Sequence, residues 1–471
     1  MEAVTSPQQE SNGPITRGCQ WLKSLPNKFC DKTTEIARRT KKLGQDDPRR
    51  IVHSLKVGLA ITLVSLFYYF KPLYDGFGNS AMWAVLTVVV VLEFSVGATL
   101  GKGLNRMLAT LVAAALGFGA HRLASLSGRK GEPVLVATFV FITAVITTFM
   151  RFFPKVKARY DYGMMIFLLT FCLVSMSGYR DDQLLEMAHE RFSTILVGSC
   201  ASLIVCICVC PVWIGEDLHK SVAANIAKLA NFLEAFGDEY FKVSEESNEN
   251  NKSYLQGYRT VLTSKSSEET MVNFARWEPG HGPFGYRHPW KMYLKVGNLT
   301  RDCAYKVEAL NTYLNCKIQM LFDFSKAPAE ISGKIQEPCK RVSLECSLAL
   351  KEMASTFRKM VLTRSAVMHI ENSKKAAEEL RSLLKTNLWE EADLLEIIPA
   401  ASVASVLVEI IGCIEKISEA VNELGKAASF RKINATVLPE QQDSIQQETV
   451  QQDSNNTAIL PVPHCVIIVA E

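Results

Sequence analysis

Long apolar stretches are confined to one part of the chain, between residues 51 and 214. A helix needs about 20 apolar residues to cross the hydrocarbon core of a bilayer, and roughly 17 are enough. Six stretches of about this length are separated by short connectors, which predicts a compact bundle of six transmembrane helices. The predicted spans are His53–Phe70, Ala81–Leu100, Leu104–Leu123, Val134–Met150, Tyr162–Ser177 and Phe192–Trp213.

From Gly215 onward the apolar residues recur every three or four positions, which indicates amphipathic helices. The first such series is Leu218, Val222, Ile226, Leu229, Leu233 and Phe236. The same spacing predicts further helices over Trp290–Ile318, Ile331–Met360 and Leu394–Leu424. The apolar run Ile397–Val408 is too short to cross a membrane and is predicted to be a buried core helix. The Gly- and Pro-rich segment 277–290 is predicted to be a loop.

These patterns predict an all-α fold: a six-helix transmembrane bundle followed by a cytosolic helical domain. Residues 1–50 form a basic cytosolic N-terminal segment, 51–214 the transmembrane domain and 215–430 the cytosolic helical domain. The tail 431–471 is rich in Gln, Ser and Asn, and it is predicted to be disordered because it offers little apolar surface to bury.

Positive charge is distributed unevenly between the two ends of the predicted spans. The N-terminal segment and the connectors 101–106 and 151–161 carry 16 Lys and Arg residues, whereas the opposite connectors carry six. Connectors rich in Lys and Arg stay in the cytosol. Both termini are therefore predicted to be cytosolic, and the more acidic connectors face outward.

Composition and motifs exclude several classes of protein. The net charge of +4 is too small to indicate nucleic-acid binding. The 13 cysteines show no CxxC spacing, and neither GxSxG, HExxH nor a catalytic Cys/His grouping occurs. The chain is therefore not predicted to be an enzyme, and no cofactor is expected.

One acidic residue, Glu93, lies inside the second predicted span. A charge near the centre of a bilayer costs roughly 2.5–3.5 kcal/mol, so it needs a partner or a water-filled path. Lys56 in the first span is long enough to reach toward it. Such a pair would either hold helices around a conduit or only fix their packing, and Glu93 is predicted to be a structural charge.

Five basic residues lie within or at the ends of the predicted spans. Arg106 and Arg191 each open a span and are followed directly by apolar residues, whereas Lys102 and Arg151 could equally anchor helices at the inner surface. The guanidinium fork of arginine fits a carboxylate, and rings of basic residues select anions in pores. An anion pathway is therefore predicted, formed by Lys56, Lys102, Arg106, Arg151 and Arg191.

Glycines are placed where two of these spans are predicted to meet. Gly97 and Gly101 form a GxxxG pattern, which allows membrane helices to approach closely. Gly101 and Gly103 are further predicted to permit a tight turn into the third span. The string GATLGKG lacks the spacing of a phosphate-binding loop and does not follow a strand.

The chain resembles the plant aluminium-activated malate transporter family over roughly residues 46 to 430. The matching segments are DPRRIVHSLKVGLA (47–60), AMWAVLTVVVVLEFSVGATLGKGLNR (81–106), YDYG (160–163), CPVWIGEDLH (210–219) and WEP…HGPFGYRHPW (277–290). The resemblance implies an anion channel for malate and other small anions, with six membrane helices and a helical cytosolic domain. It also implies a homodimer in the plasma membrane, with the vacuolar membrane as the alternative. The positive pore residues of the family match Arg106 and Arg191.

The resemblance also implies an outer acidic site for a regulatory aluminium ion, at Asp75, Asp182 and Glu186. Asp182 and Glu186 would lie one helical turn apart, so both carboxylates can face one cation. A small trivalent ion is hard and prefers such oxygen ligands. A solvated acidic loop with no metal is the alternative.

Two other functions fit the same sequence. One is a proton-coupled organic-acid exporter in which Glu93 carries the proton. The other is a membrane-anchored scaffold whose helical domain binds partner proteins. The predicted partners of the channel are malate and other small anions, membrane lipid and a second copy of the chain, without nucleic acid.

Overall fold

A computed structural model describes residues 32–66, 82–177, 184–240, 254–321, 329–385 and 394–432. Within these ranges the chain is almost entirely helical. The sheet found there is a parallel pair of two-residue strands, β1 (Val361–Leu362) and β2 (Arg431–Lys432). The predicted helical fold class is therefore confirmed.

The described residues before 209 form seven helices, and α2 to α7 each overlap a predicted span. They are α1 (32–46), α2 (Arg49–Leu66), α3 (Met82–Val91), α4 (Val96–Ser125), α5 (Gly128–Met150), α6 (Pro154–Ser177) and α7 (Leu184–Cys208).

The boundary between the second and third predicted spans is wrong. The helix α3 ends at Val91, and α4 begins at Val96 and runs through Gly101 and Gly103 without a turn. Polar side chains stabilise the break between the helices. The hydroxyl of Ser95 accepts a hydrogen bond from the Ala98 N–H at 3.3 Å and so caps α4. The hydroxyl of Thr99 accepts from the Glu93 N–H at 3.0 Å. Glu93 therefore lies in the break and not inside a helix.

Two helical stretches among the described residues are long and apolar enough to cross a membrane, Val96–Ser125 and Lys130–Met150. The helix α3 and the stretch Phe192–Cys208 are apolar but shorter. The six crossings therefore stay a prediction.

Small residues allow the apolar helices to approach one another. A Cβ on Gly198 of α7 would lie 2.6 Å from the backbone oxygen of Ala84 in α3, and a Cβ on Gly117 of α4 would lie 3.0 Å from Val174 in α6. Such close contacts are typical of membrane helices, which gain stability from packing and not from the exclusion of water. Helices α2, α3 and α7 share a small core of buried residues, which includes Ala60, Val64, Val88 and Cys206.

The part of the chain after residue 213 is a second set of packed helices. They are α8 (Ile214–Tyr240), α9 (254–257), α10 (Arg259–Leu262), α11 (Lys265–Ala275), α12 (Trp290–Leu321), α13 (Ala329–Lys359), α14 (Ser365–Lys385) and α15 (Leu394–Ala427). The four long helices predicted from periodicity are α8, α12, α13 and α15, and all four are confirmed. The helix α14 was not predicted.

The core of these helices is apolar and contains one buried ion pair. Glu268 of α11 accepts a hydrogen bond at 2.6 Å from Arg301 of α12, and both side chains are nearly inaccessible. Asn225 of α8 donates to the same carboxylate at 3.1 Å. Removing one member of such a pair leaves an uncompensated buried charge, which is strongly destabilising.

The apolar run Ile397–Val408 lies in α15, where Val403, Ala404 and Leu407 are buried, as predicted for a core helix. The strand β2 occupies the first two residues of the predicted tail, because Arg431 pairs with Val361. Residues 433–471 lie outside the described residues, so the disorder of the tail stays a prediction.

Among the described residues, the nearest neighbours of the two GxxxG glycines lie outside the apolar helices of the bundle. A Cβ on Gly97 would lie 2.4 Å from the backbone oxygen of Phe274, and a Cβ on Gly101 would lie 3.0 Å from the ring of Trp277. Both contacts are to α11 and the loop that follows it. The first turn of α4 is therefore a docking surface for the second set of helices, because only glycine leaves room for this approach.

We expect Gly97→Ala to destabilise the protein, because the atom that the new methyl group meets is backbone and cannot rotate away. Overpacking of this kind costs about 1–3 kcal/mol. Thermal unfolding of the purified protein measures the effect. The matched control is Gly119→Ala on the same helix, where no atom lies within 4 Å of the new Cβ. An unchanged unfolding temperature in Gly97→Ala would contradict the docking described here.

Candidate anion pathway and its junction with the second set of helices

Arg106 is buried in the middle of α4, and it does not open a span as predicted. Arg106 is 5% exposed, and Nη1 of its guanidinium donates a hydrogen bond to the hydroxyl of Tyr162 in α6 at 3.0 Å. The neighbouring Asn105 donates to the backbone oxygen of Arg159 at 3.1 Å, which fixes α4 against α6. No carboxylate among the described residues pairs with Arg106, and its Nε has no hydrogen-bond partner there.

Lys102 lies one turn before Arg106 on the same face of α4. Its ammonium group lies 5.6 Å from the centre of the Tyr162 ring and forms an ion pair with Glu93. Lys102, Arg106 and Tyr162 therefore form one cluster between α4 and α6, called the basic cluster below. Glu93 is paired, but its partner is not the predicted Lys56.

Lys56 and Arg151 have partners elsewhere. Lys56 is 1% exposed and donates to the backbone oxygen of Cys210 at 2.8 Å, so the predicted pair with Glu93 is wrong. The break after α3 explains this, because it turns Glu93 toward the start of α4. Arg151 forms a two-pronged ion pair with Asp161, at 2.7 and 3.2 Å. A carboxylate therefore offsets the charge of Arg151.

The remaining predicted site residues are only partly described. Asp75 and Asp182 lie outside the described residues, and Glu186 and Arg191 lie on α7 in a part of the helix whose side chains are not described. Among the residues that the structure does describe, no group of three His, Cys, Asp or Glu side chains is arranged to hold a metal ion. The outer aluminium site therefore stays a prediction.

A carboxylate that the sequence analysis missed joins the apolar helices to the second set of helices. The side chain of Glu278 is 1% exposed and accepts hydrogen bonds from the backbone N–H groups of Ile214 at 2.6 Å and Gly215 at 3.0 Å. These are the first residues of α8, where backbone N–H groups lack partners within the helix. The same side chain lies against Gly97 at the start of α4, since a Cβ there would be 2.9 Å from its Cγ.

Aromatic rings surround this carboxylate and fix the loop 277–290. The ring of His281 stacks on Trp213 with centroids 3.9 Å apart, and its Nε2 lies 4.0 Å from Glu278. The guanidinium of Arg159 lies 5.3 Å from the ring of Trp277. The junction between α7 and α8 is therefore held by the loop, as is the start of α4.

Burial controls the protonation of the groups in this junction. Burial raises the pKa of Glu278 to about 7, although the N–H groups of Gly215 and Ile214 lower it. The hydroxyl of Tyr293 bonds to Nδ1 of His219 at 3.0 Å and to Nε2 of His288 at 2.9 Å. Burial lowers the pKa of both histidines to about 4, so both are neutral near pH 7.

Apolar helices that contain a buried basic cluster, docked onto a second set of helices, define the class of this protein as a helical membrane protein. The sequence model of the family described as "Aluminium activated malate transporter" matches residues 41–389. Aluminum-activated malate transporter 2 of Arabidopsis thaliana is 50% identical over 405 residues, which cover 85% of this chain and 79% of the relative. Aluminum-activated malate transporter 1 of Triticum aestivum is 42% identical over 439 residues, with 92% of each chain covered. The chain belongs to the aluminium-activated malate transporter family.

We expect the stability of this protein to depend on Glu278 between pH 4.5 and about 7. Folding raises the pKa of Glu278 from its ordinary value of 4.5 to about 7. Its contribution to the free energy of unfolding is therefore complete below pH 4.5 and is lost as pH rises through about 7. The loss is at most about 3 kcal/mol. Glu278→Gln cannot titrate, so its free energy of unfolding should fall less over this range than that of the wild type.

Chemical unfolding at pH 5 and pH 8 measures the difference. The control is Glu269→Gln, which removes the exposed acid of α11 and should keep the pH dependence of the wild type. Identical pH profiles for the wild type and Glu278→Gln would show that this carboxylate does not titrate in the folded protein.

Proposed function

We infer that the chain is an anion channel that carries malate across a membrane. Membership of the malate transporter family supports this inference, and the family is one of transporters and not of enzymes. The observation that carries it at the level of residues is the basic cluster. Arg106 has a buried, positively charged fork with no carboxylate partner among the described residues, in a helix long enough to cross a membrane.

The basic cluster provides the chemistry that a dicarboxylate needs. A guanidinium donates two parallel hydrogen bonds to one carboxylate, and it stays charged at any physiological pH. The ammonium of Lys102 already pairs with Glu93. It therefore offsets the negative charge of that carboxylate and binds an incoming anion less tightly than Arg106 does. An anion held by one strong fork and few other contacts can enter and also leave, as conduction requires.

We propose that the chain crosses the membrane six times, with both termini in the cytosol. The excess of Lys and Arg on one side supports this orientation. Large apolar side chains along α5 are exposed, such as Phe141 at 69% and Phe149 at 62%. Surfaces of this kind are unfavourable in water and are suited to contact with lipid. The proposal extends to a homodimer in the plasma membrane, with the vacuolar membrane as the alternative.

A channel explains malate transport without a coupled ion. An inside-negative potential of 100 mV drives a dianion outward by roughly 4.6 kcal/mol. The ion pair between Glu93 and Lys102 supports a structural role for Glu93 over that of a proton carrier, since protonation would break the pair. A scaffold without transport would need no unpaired arginine inside an apolar helix.

We expect Arg106→Gln to reduce malate current by about tenfold or more, because a hydrogen bond to a charged group is worth about 1.5–3 kcal/mol. Currents are recorded in oocytes or planar bilayers, and surface labelling confirms that the variant reaches the membrane. Arg106→Lys keeps the charge and should retain part of the current.

Arg122→Gln near the far end of α4 is the matched control, because the exposed guanidinium of Arg122 lies 5.1 Å from the centre of the Phe118 ring and away from the basic cluster. Wild-type current should reverse at the Nernst potential of malate regardless of a proton gradient. Reversal that follows the proton gradient would favour the exporter, and full current in Arg106→Gln would remove Arg106 from the pathway.

We further propose that external aluminium activates the channel through Asp75, Asp182 and Glu186. Three carboxylates held together repel one another, and a hard trivalent cation would relieve this repulsion and draw the outer connectors together. Aluminium at acidic external pH should increase the current of the wild type but not of Asp182→Asn combined with Glu186→Gln. Lys71→Gln, in the first outer connector, is the control and should keep the response. Equal activation of the wild type and the double variant would refute the site.

A further inference from the structure

A cavity of about 480 Å³ lies beside the loop 277–290, on the side of the membrane predicted to be cytosolic. Its wall includes three basic side chains, Arg276, Arg287 and Lys291, and the rings of Tyr286 and Trp290. Cavities of this size commonly bind small organic ligands. Its position, outside the apolar helices, separates it from the basic cluster between α4 and α6.

The positive charge of this cavity is not offset within the described chain. Arg276, Arg287 and Lys291 are exposed, and none forms an ion pair with a carboxylate among the described residues. The one acid in the wall, Glu278, is buried and bonded to the start of α8. An anion from solution can therefore reach three cations that have no other partner of opposite charge.

The backbone holds these groups in place. His281 and Phe284 exchange two backbone hydrogen bonds, at 3.0 and 2.9 Å, which close the loop into a tight turn. Arg287 has φ of 62°, and its guanidinium lies 5.5 Å from the centre of the Tyr286 ring. Lys291 lies in the first turn of α12, where the partial positive charge of a long helix adds to its own.

We propose that this cavity binds a phosphate ester. A phosphate monoester presents up to two negative charges and three oxygens in a compact group, which suits two guanidinium forks and an ammonium group. The cavity is larger than phosphate alone, and the ring of Tyr286 is 81% exposed and offers a face to the organic group. The ester is either a free metabolite or the headgroup of a phosphorylated lipid. The lipid is an alternative because the cavity adjoins an apolar helix: Trp277, next to the cavity residue Arg276, packs on Gly101 of α4.

A ligand bound in the cavity would act on the membrane helices through His281. His281 lines the cavity, stacks on Trp213 directly before α8, and lies 4.0 Å from Glu278. A bound ester would therefore lie against a residue that holds the junction between α7 and α8.

Tryptophan fluorescence of the full-length protein in phosphatidylcholine nanodiscs tests the proposal, because Trp290 lines the cavity. One arm adds a soluble inositol phosphate, a second uses nanodiscs that contain phosphatidylinositol phosphate, and a third adds malate. Saturable binding in the first arm identifies a free ester, and binding in the second arm alone identifies a lipid headgroup. No binding in either arm, or tighter binding of malate than of the inositol phosphate, overturns the proposal.

The variants Arg276→Gln and Lys291→Gln should each weaken binding by about tenfold, as expected for the loss of one charge-assisted contact. The matched control is Lys295→Gln, one turn further along α12, where the lysine instead pairs with Glu423 at 2.5 Å. Unfolding temperature and size-exclusion elution of each variant establish that it is folded. Equal affinity in Lys291→Gln and Lys295→Gln would also overturn the proposal.

Discussion

One buried carboxylate joins the two sets of helices in this protein. Glu278 satisfies two backbone N–H groups at the start of α8, and its aliphatic part touches Gly97 at the start of α4. The N-terminal end of a helix carries partial positive charge, which favours an anion there, but burial disfavours the anion more strongly and raises the pKa of Glu278 to about 7. The glycine is needed because a larger residue would hold α4 away from the loop. The position of the basic cluster relative to the second set of helices depends on this contact.

The charges within the apolar helices are satisfied in different ways, and the partner of Arg106 differs in kind from the others. Glu93 pairs with Lys102, Arg151 pairs with Asp161, and Lys56 bonds to the oxygen of Cys210. Each of these groups already has a strong partner within the chain. Among the described residues, Arg106 instead donates to a neutral hydroxyl and has no carboxylate partner.

The basic cluster and the cavity are separate sites that are linked through Trp277. Trp277 packs on Gly101, one residue before Lys102. The guanidinium of Arg159 in α6 lies 5.3 Å from the centre of the Trp277 ring. The cavity begins at Arg276, the residue next to Trp277. A change in the loop 277–290 would therefore be transmitted to both α4 and α6 through direct contacts. Rigid packing of rings and backbone favours two discrete arrangements over continuous deformation.

The sequence by itself determined the helical class, the long helices of the second half and the family, because helical periodicity and motifs are local properties of the chain. It also indicated Arg106, since an arginine among apolar residues is visible without a structure. It did not determine the break at Glu93, which depends on backbone hydrogen bonds that the hydroxyls of Ser95 and Thr99 accept. Only the tertiary structure decided the partner of Lys56, the surface that the GxxxG glycines face and the importance of Glu278. Each of these depends on contacts between residues more than 100 positions apart or between separate helices, and no local pattern records such contacts.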